Sequence, residues 1–283
     1  MLKPLMWVFE NNNFKYHFMY LVKIGLIFIC LAIVLVFLMN FNDFSDLTCH
    51  FLSLFLIILI SVPHLNLTGY FWYLTDNITE RKTDILSANI YNKKIDFKDI
   101  IEFPEINIWK FVWRGIASIV ATILMYIPVS MIFVYSSLNV TKVSEFWGWT
   151  TQQTTFFYIF LVCLIAFFIP ALLWNYAKKD SVFAVWNVFE ASRVIGENFV
   201  RYVKNTVLFL LYSVVYSIII KTVTFMLGLS IWNTCDIWYT FSTHGINDII
   251  SGFLAIIFNY IAGIYWVHVN AYLLGTISEK QGY

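Results

Sequence analysis

Charge is scarce in this chain. Asp, Glu, Lys and Arg supply only 12% of its 283 residues, about half the share usual in a soluble domain. Long intervals contain none of the four: Ile24 to Asn42, Leu47 to Thr75, Gly115 to Thr141, Phe146 to Ala177 and Ile249 to Ser278, with Asn205 to Cys235 interrupted by Lys221 alone. Also missing are the H-E-x-x-H, G-x-S-x-G and G-x-x-x-x-G-K-[ST] patterns that would mark a zinc protease, a nucleophile elbow or a phosphate loop. An enzyme reading therefore has no positive support, and no catalytic, cofactor-binding or metal-binding residue is assigned. His17, His50, His64, His244 and His268 lack ligand-like spacing and read as packing or interfacial residues. The four cysteines, Cys30, Cys49, Cys163 and Cys235, show no paired ligand spacing either. Cys49 and Cys235 fall near the same expected outer face, where a disulfide is allowed but not required. With a net charge of +1 and no dominant basic stripe, nucleic acid is not an expected partner.

What is abundant is apolar and aromatic surface, 60% and 20% of the residues. A transmembrane helix needs about 20 mostly apolar residues, so the uncharged intervals predict an all-α polytopic bundle forming a single integral membrane domain over residues 1–283. Six spans are expected, near 18–39, 48–73, 113–136, 154–176, 206–228 and 249–274.

Lys and Arg favour the cytoplasmic side of a membrane. They cluster in the N-terminal segment, in loop 76–112 and in loop 177–205, whereas 40–47 and 229–247 hold none and 137–153 holds only Lys142. Both termini are therefore expected in the cytoplasm. The first apolar stretch is too long, begins too late and lacks the small-residue site of a cleavable signal peptide.

The two cytoplasmic loops carry candidate lipid contacts. In DFKDIIEFPEINIWKFVWRG, the spacing of Ile106, Trp109, Val112 and Trp113 predicts an amphipathic helix. Pro104 and Glu105 suit its first turn, its tryptophans suit the headgroup level, and Lys110 and Arg114 suit lipid phosphates. In VFAVWNVFEASRVIGENFVRYV, Val182, Val185, Val188 and Phe189 oppose Glu190, Arg193, Glu197 and Arg201 in the same way. The interface candidates are Trp109, Lys110, Trp113, Arg114, Arg193 and Arg201. Helices of this kind either lie in the membrane interface and orient the bundle or dock a partner.

Polar residues inside spans are costly and usually face a bundle interior. Ser213, Ser217 and Lys221 recur four apart in the fifth span, and Lys221 is expected to snorkel to the outer surface. Gly252, Asn259, Gly263, Trp266 and Asn270 form a stripe on the last span, with His268 off that face. The stripe suits close helix packing, with lining of a polar cavity as the alternative. Pro128 and Pro170 are expected to kink their helices.

The order Gly69-Tyr70, then FPEINIWKFVWRG, then Tyr126 to Pro128 resembles an uncharacterised prokaryotic membrane family catalogued as domain of unknown function 4013. IPALLWNYAKKDSVFAVWNVFEASRVIGENFVRYV and HVNAYLLGTISEK resemble later family segments, although Thr276 stands where a glutamine is expected. The resemblance implies a polytopic protein of a prokaryotic cell membrane and supplies no activity or site residues.

Two functional expectations follow. The first is a non-enzymatic scaffold or accessory protein that binds membrane lipid, other membrane proteins or further copies of itself through its cytoplasmic amphipathic helices. The alternative is a small transporter or channel using the polar faces of the fifth and sixth spans.

Overall fold

Hydrocarbon offers no hydrogen bonds to an exposed backbone, so a chain this apolar must satisfy its peptide groups within helices. The computed structural model describes residues 12–41, 46–89, 106–226 and 246–277, and every regular element among them is helical. These are α1 (Asn12–Phe41), α2 (Asp46–Asn89), α3 (Ile108–Trp147) and α4 (Thr151–Lys179), then a 3-10 turn over Val182–Trp186, α5 (Val188–Glu197), α6 (Phe199–Met226) and α7 (Ile246–Gly275). All but α5 and the turn are long and apolar enough to cross a membrane. The chain is a multi-pass, all-α membrane protein.

Helix α2 holds the centre, packing against α1, α3, α4 and α7, while α6 leans on α7 and α5. The main core runs through Tyr70, Leu74 and Ile78 of α2, Phe111 of α3, Tyr176 of α4 and Ile264 and Leu273 of α7. A smaller cluster joins α1, α2 and α7 through Ile29, Leu56 and Phe253.

The tightest seam lies between α2 and α3. A side chain at Gly69 would run into the Phe111 carbonyl, and one at Gly115 would run into the Leu65 carbonyl. Each glycine thus sits four residues beyond the carbonyl that meets the other one. Such reciprocal contact lets the backbones touch, as small residues do between membrane helices, and suits Cα–H to carbonyl bonds. Asn66 Nδ2 adds a 3.3 Å bond to the Ile108 carbonyl.

Element boundaries depart from the expected ones in the two charged loops. Helix α2 does not end near residue 73 but continues to Asn89. Its extra turns are held from outside: Ile78 is fully buried, and Thr79 Oγ1 reaches the Gly275 carbonyl of α7 at 3.5 Å. Helix α3 starts at Ile108 and not at Pro104, because the Asn107 side chain accepts the Lys110 N–H at 3.0 Å and so serves as the N-cap. From there it runs without a break through Gly115, so residues 108–114 are the first turns of the third span and not a separate helix lying across it. Pro104 and Glu105 lie outside the described residues.

Helix α4 opens with a capping box in which Thr150 and Gln153 bond each other's backbone N–H groups, and it ends at Asp180 in a left-handed conformation (φ 47°, ψ 33°). The chain then folds back beside the helices it has just left. Asn175 Nδ2 reaches the Asn187 carbonyl at 3.0 Å, and Trp186 Nε1 reaches the Leu124 carbonyl at 3.2 Å. Leu124 lies about 15 Å further along α3 than Arg114 at a rise of 1.5 Å per residue, so residues 181–187 lie alongside the spans.

Candidate functional site

A buried cation is the most demanding group in such a bundle, since removing it from water is repaid only by well-placed partners. Arg114 is that group, with a side chain 2% exposed. Its Nη2 donates to the Ala177 carbonyl at 2.7 Å, its Nε lies 2.9 Å from Asp180 Oδ1, and Asp76 Oδ2 is 3.8 Å from Nη2. The guanidinium also lies over the Tyr73 ring, 3.9 Å from its centroid, a favourable stacking for a weakly hydrated cation.

Local structure explains each partner. Tyr73 and Asp76 are three apart on α2 and share a face. Asp180 terminates α4, where carbonyls lack helical partners and a negative charge opposes the helix dipole. Arg114 answers both problems by taking the Ala177 carbonyl and neutralising Asp180. Tyr176 closes the ring by donating to the Arg114 carbonyl at 3.2 Å. The arrangement latches α2, α3 and α4 together at one level.

Arg114 therefore faces inward, away from the lipid phosphates expected of it. The other interface candidates on α3 face outward: Trp109 is 79% exposed, Trp113 is 74% exposed, and exposed Lys110 lies 4.6 Å from the Tyr73 ring centroid. Arg193 pairs with Glu190 at 2.7 Å and approaches Glu197 at 3.9 Å, all on α5. Arg201 is half-buried near the start of α6. Of the apolar residues expected to oppose these charges, Val185 is buried but Val188 and Phe189 are not, and Phe189 is 91% exposed. The face of α5 packed on the bundle is instead Ala191, Val194 and Ile195.

The polar residues of the fifth and sixth spans do not share a surface. Ser217 and Lys221 are exposed on α6, while Ser213 bonds its own helix at the Phe209 carbonyl, 2.8 Å away. Asn259 Oδ1 accepts from Tyr216 at 2.6 Å. Asn270 is fully buried with its Nδ2 on the Trp266 carbonyl at 2.9 Å.

His268 lies off that stripe, and its own face is the more buried one. Its Nδ1 is 2.7 Å from the Ile264 carbonyl and its Nε2 is 3.0 Å from the Tyr70 hydroxyl. A carbonyl only accepts, so Nδ1 carries the proton and Nε2 receives the Tyr70 hydroxyl. The His17 ring stands 5.8 Å from Tyr70, so one contact set ties α1, α2 and α7.

Among the described residues no three His, Cys, Asp or Glu side chains converge as a metal would require. Cys30 and Cys163 are exposed free thiols, and the Cys49–Cys235 pairing lies outside the described side chains. The partners of Arg114, and the docking of Trp186 on Leu124, escaped the sequence reading. The Tyr73/Asp76 spacing was a usable signal on α2; Asp180, next to Lys178 and Lys179, reads as an ordinary loop charge.

No family model, curated protein or solved structure matches the chain.

Proposed function

We propose that the protein is a non-enzymatic membrane scaffold or accessory protein with both termini in the cytoplasm, a side that the Lys and Arg distribution supports, and that it belongs to a prokaryotic cell membrane, as the resemblance around Gly69-Tyr70 and FPEINIWKFVWRG implies. It meets lipid and membrane partners through the aromatic, cation-bearing first turns of α3 and the segment around α5. The observation that supports this reading is the scatter of the residues a transport path would need. Ser217 and Lys221 face outward, whereas Asn259 and Asn270 are engaged with Tyr216 and Trp266. Coupled transporters place ionisable groups together near the bilayer midplane. The exposed Trp109, Trp113 and Phe189 supply apolar area beside Lys110 and Arg193, the pairing that suits a headgroup layer.

The deciding experiment is crosslinked co-purification from the native membrane, run beside reconstitution of the same protein in sealed vesicles. Repeated recovery of one partner, reduced by Trp109→Ala with Trp113→Ala, is expected. Solute flux abolished by Lys221→Ala would sink the scaffold reading. The orientation has its own measurement: a cysteine placed between residues 85 and 100 stays unlabelled by an impermeant reagent added outside, and labelling there overturns it.

A further inference from the structure

Between α3 and α4 lies a half-open groove of about 450 Å³, walled by Met125 and Pro128 on one side, Leu164 and Phe168 on the other, and Trp186 and Val188 from the folded-back segment. We propose that this groove binds one acyl chain of a bilayer phospholipid.

Its chemistry excludes a polar ligand. The indole N–H is the one polar side-chain group on these walls, and it is already spent on the Leu124 carbonyl. Its size suits a partner helix running along it poorly: a helix about 10 Å wide would have only some 6 Å of its length wholly enclosed in a volume of about 450 Å³. Its composition argues the same way. Where this chain docks helix on helix most closely, at α2 and α3, it uses Gly69 and Gly115, whereas the described lining of the groove has no glycine, alanine, serine or threonine. Large flexible walls suit a flexible occupant.

The position selects lipid. Met125 and Pro128 lie within the charge-free run of α3 from Gly115 to Thr141, and Leu164 and Phe168 sit mid-span in α4, so the mouth opens on hydrocarbon. A volume of about 450 Å³ holds about fifteen groups of methylene size, taking each as close to the ~30 Å³ of a water molecule. That is the scale of one membrane acyl chain. Lys178 and Lys179 end α4 above the groove, where a phosphate would lie. The folded-back segment makes the difference between a site and ordinary lipid contact, because it adds a third wall to what would be an open cleft.

This inference rests on the lipid-binding part of the proposed function and needs no protein partner. Full-length protein is reconstituted in vesicles of phosphatidylglycerol and phosphatidylethanolamine containing a trace of phospholipid with a photoreactive diazirine in one acyl chain. Label is expected to concentrate on peptides carrying residues 125–128 and 164–172. Leu164→Trp, at a half-exposed position on the wall, should cut that label several-fold, and Leu210→Trp, which puts the same bulk on the outward face of α6, should leave it unchanged. Val188→Trp blocks the mouth from the third wall if Leu164→Trp does not fold. Label spread over all six spans in proportion to their exposure, or indifferent to both obstructions, would overturn the proposal. So would displacement by free fatty acid but not by phospholipid, or a protein crosslink at Leu164 in place of lipid. Partner capture is read separately, so loss of the groove label with capture intact refutes this inference alone.

Discussion

Trp186 donates its indole N–H to the carbonyl of Leu124 at 3.2 Å, and that carbonyl is free to receive it because the residue four positions on, Pro128, has no N–H to give. A helix defect in one element is thus met by a side chain from another. On α4 the Tyr202 hydroxyl donates to the Phe167 carbonyl, whereas the carbonyl that Pro170 leaves without a helical donor is that of Ala166, one residue earlier.

The first prediction follows from that pairing. Trp186→Phe keeps most of the apolar area but removes the donor, and should cost about 1 kcal/mol. In a Pro128→Ala background the helix supplies the missing N–H, so the same change should cost less. Thermal unfolding of the four proteins in detergent closes the cycle, and equal costs in both backgrounds would show that the indole bond is idle.

Arg114→Ala leaves Asp180 and the end of α4 without their partner. Breaking a buried pair from one side costs about 3–5 kcal/mol, and the lower end is expected because Asp180 is 54% exposed. Asp180→Asn should cost clearly less than Arg114→Ala, since the Ala177 and Tyr73 contacts survive it. A shift in melting temperature measures both, and equal shifts would mean that the ion pair carries the whole latch.

Three glycines should separate cleanly. Gly69→Ala or Gly115→Ala drives a methyl into the facing backbone, which cannot yield as a side chain can, so the loss should exceed the typical 1–3 kcal/mol or so of overpacking. At Gly196, in α5, nothing lies within 4 Å of an added methyl. Gly196→Ala should therefore stabilise by about 0.5–1 kcal/mol through helix propensity. Fractions of folded, monodisperse protein from detergent extracts rank the three.

Tyr70→Phe removes the hydroxyl that donates to His268 Nε2 in a site without water contact, at a cost of about 0.5–1.5 kcal/mol for the lost hydrogen bond. Adding His268→Phe should recover part of the loss, because both polar groups are then absent. A double variant no more stable than Tyr70→Phe would contradict the pairing.

Much of the architecture was legible in sequence order. Hydropathy is a local property, and hydrocarbon forces each long apolar run into a helix whatever its neighbours do, so the six spans appear close to where the uncharged intervals lie. Where those helices begin and end was less accessible. The extension of α2 to Asn89 depends on Ile78 and Thr79 meeting α7, a contact across 196 positions in the case of Thr79 and Gly275.

The site residues divide along the same line. Trp109, Lys110 and Trp113 face outward, whereas Val112, expected on the same apolar face as the tryptophans, is buried beside Phe111. Arg114 shares a helical face with Lys110 at four-residue spacing, yet only the second of the pair remains at the surface. The reason is tertiary: the close approach of α2 and α3 at Gly69 and Gly115 brings Tyr73 and Asp76 over Arg114, and the end of α4 supplies Asp180. By itself the sequence determined the six helices, among the described residues, that are long and apolar enough to cross a membrane, because the bilayer reads composition one segment at a time. Only the packed structure decided which cation turns inward and which aromatic ring mends a proline, because those outcomes depend on residues that meet from different helices.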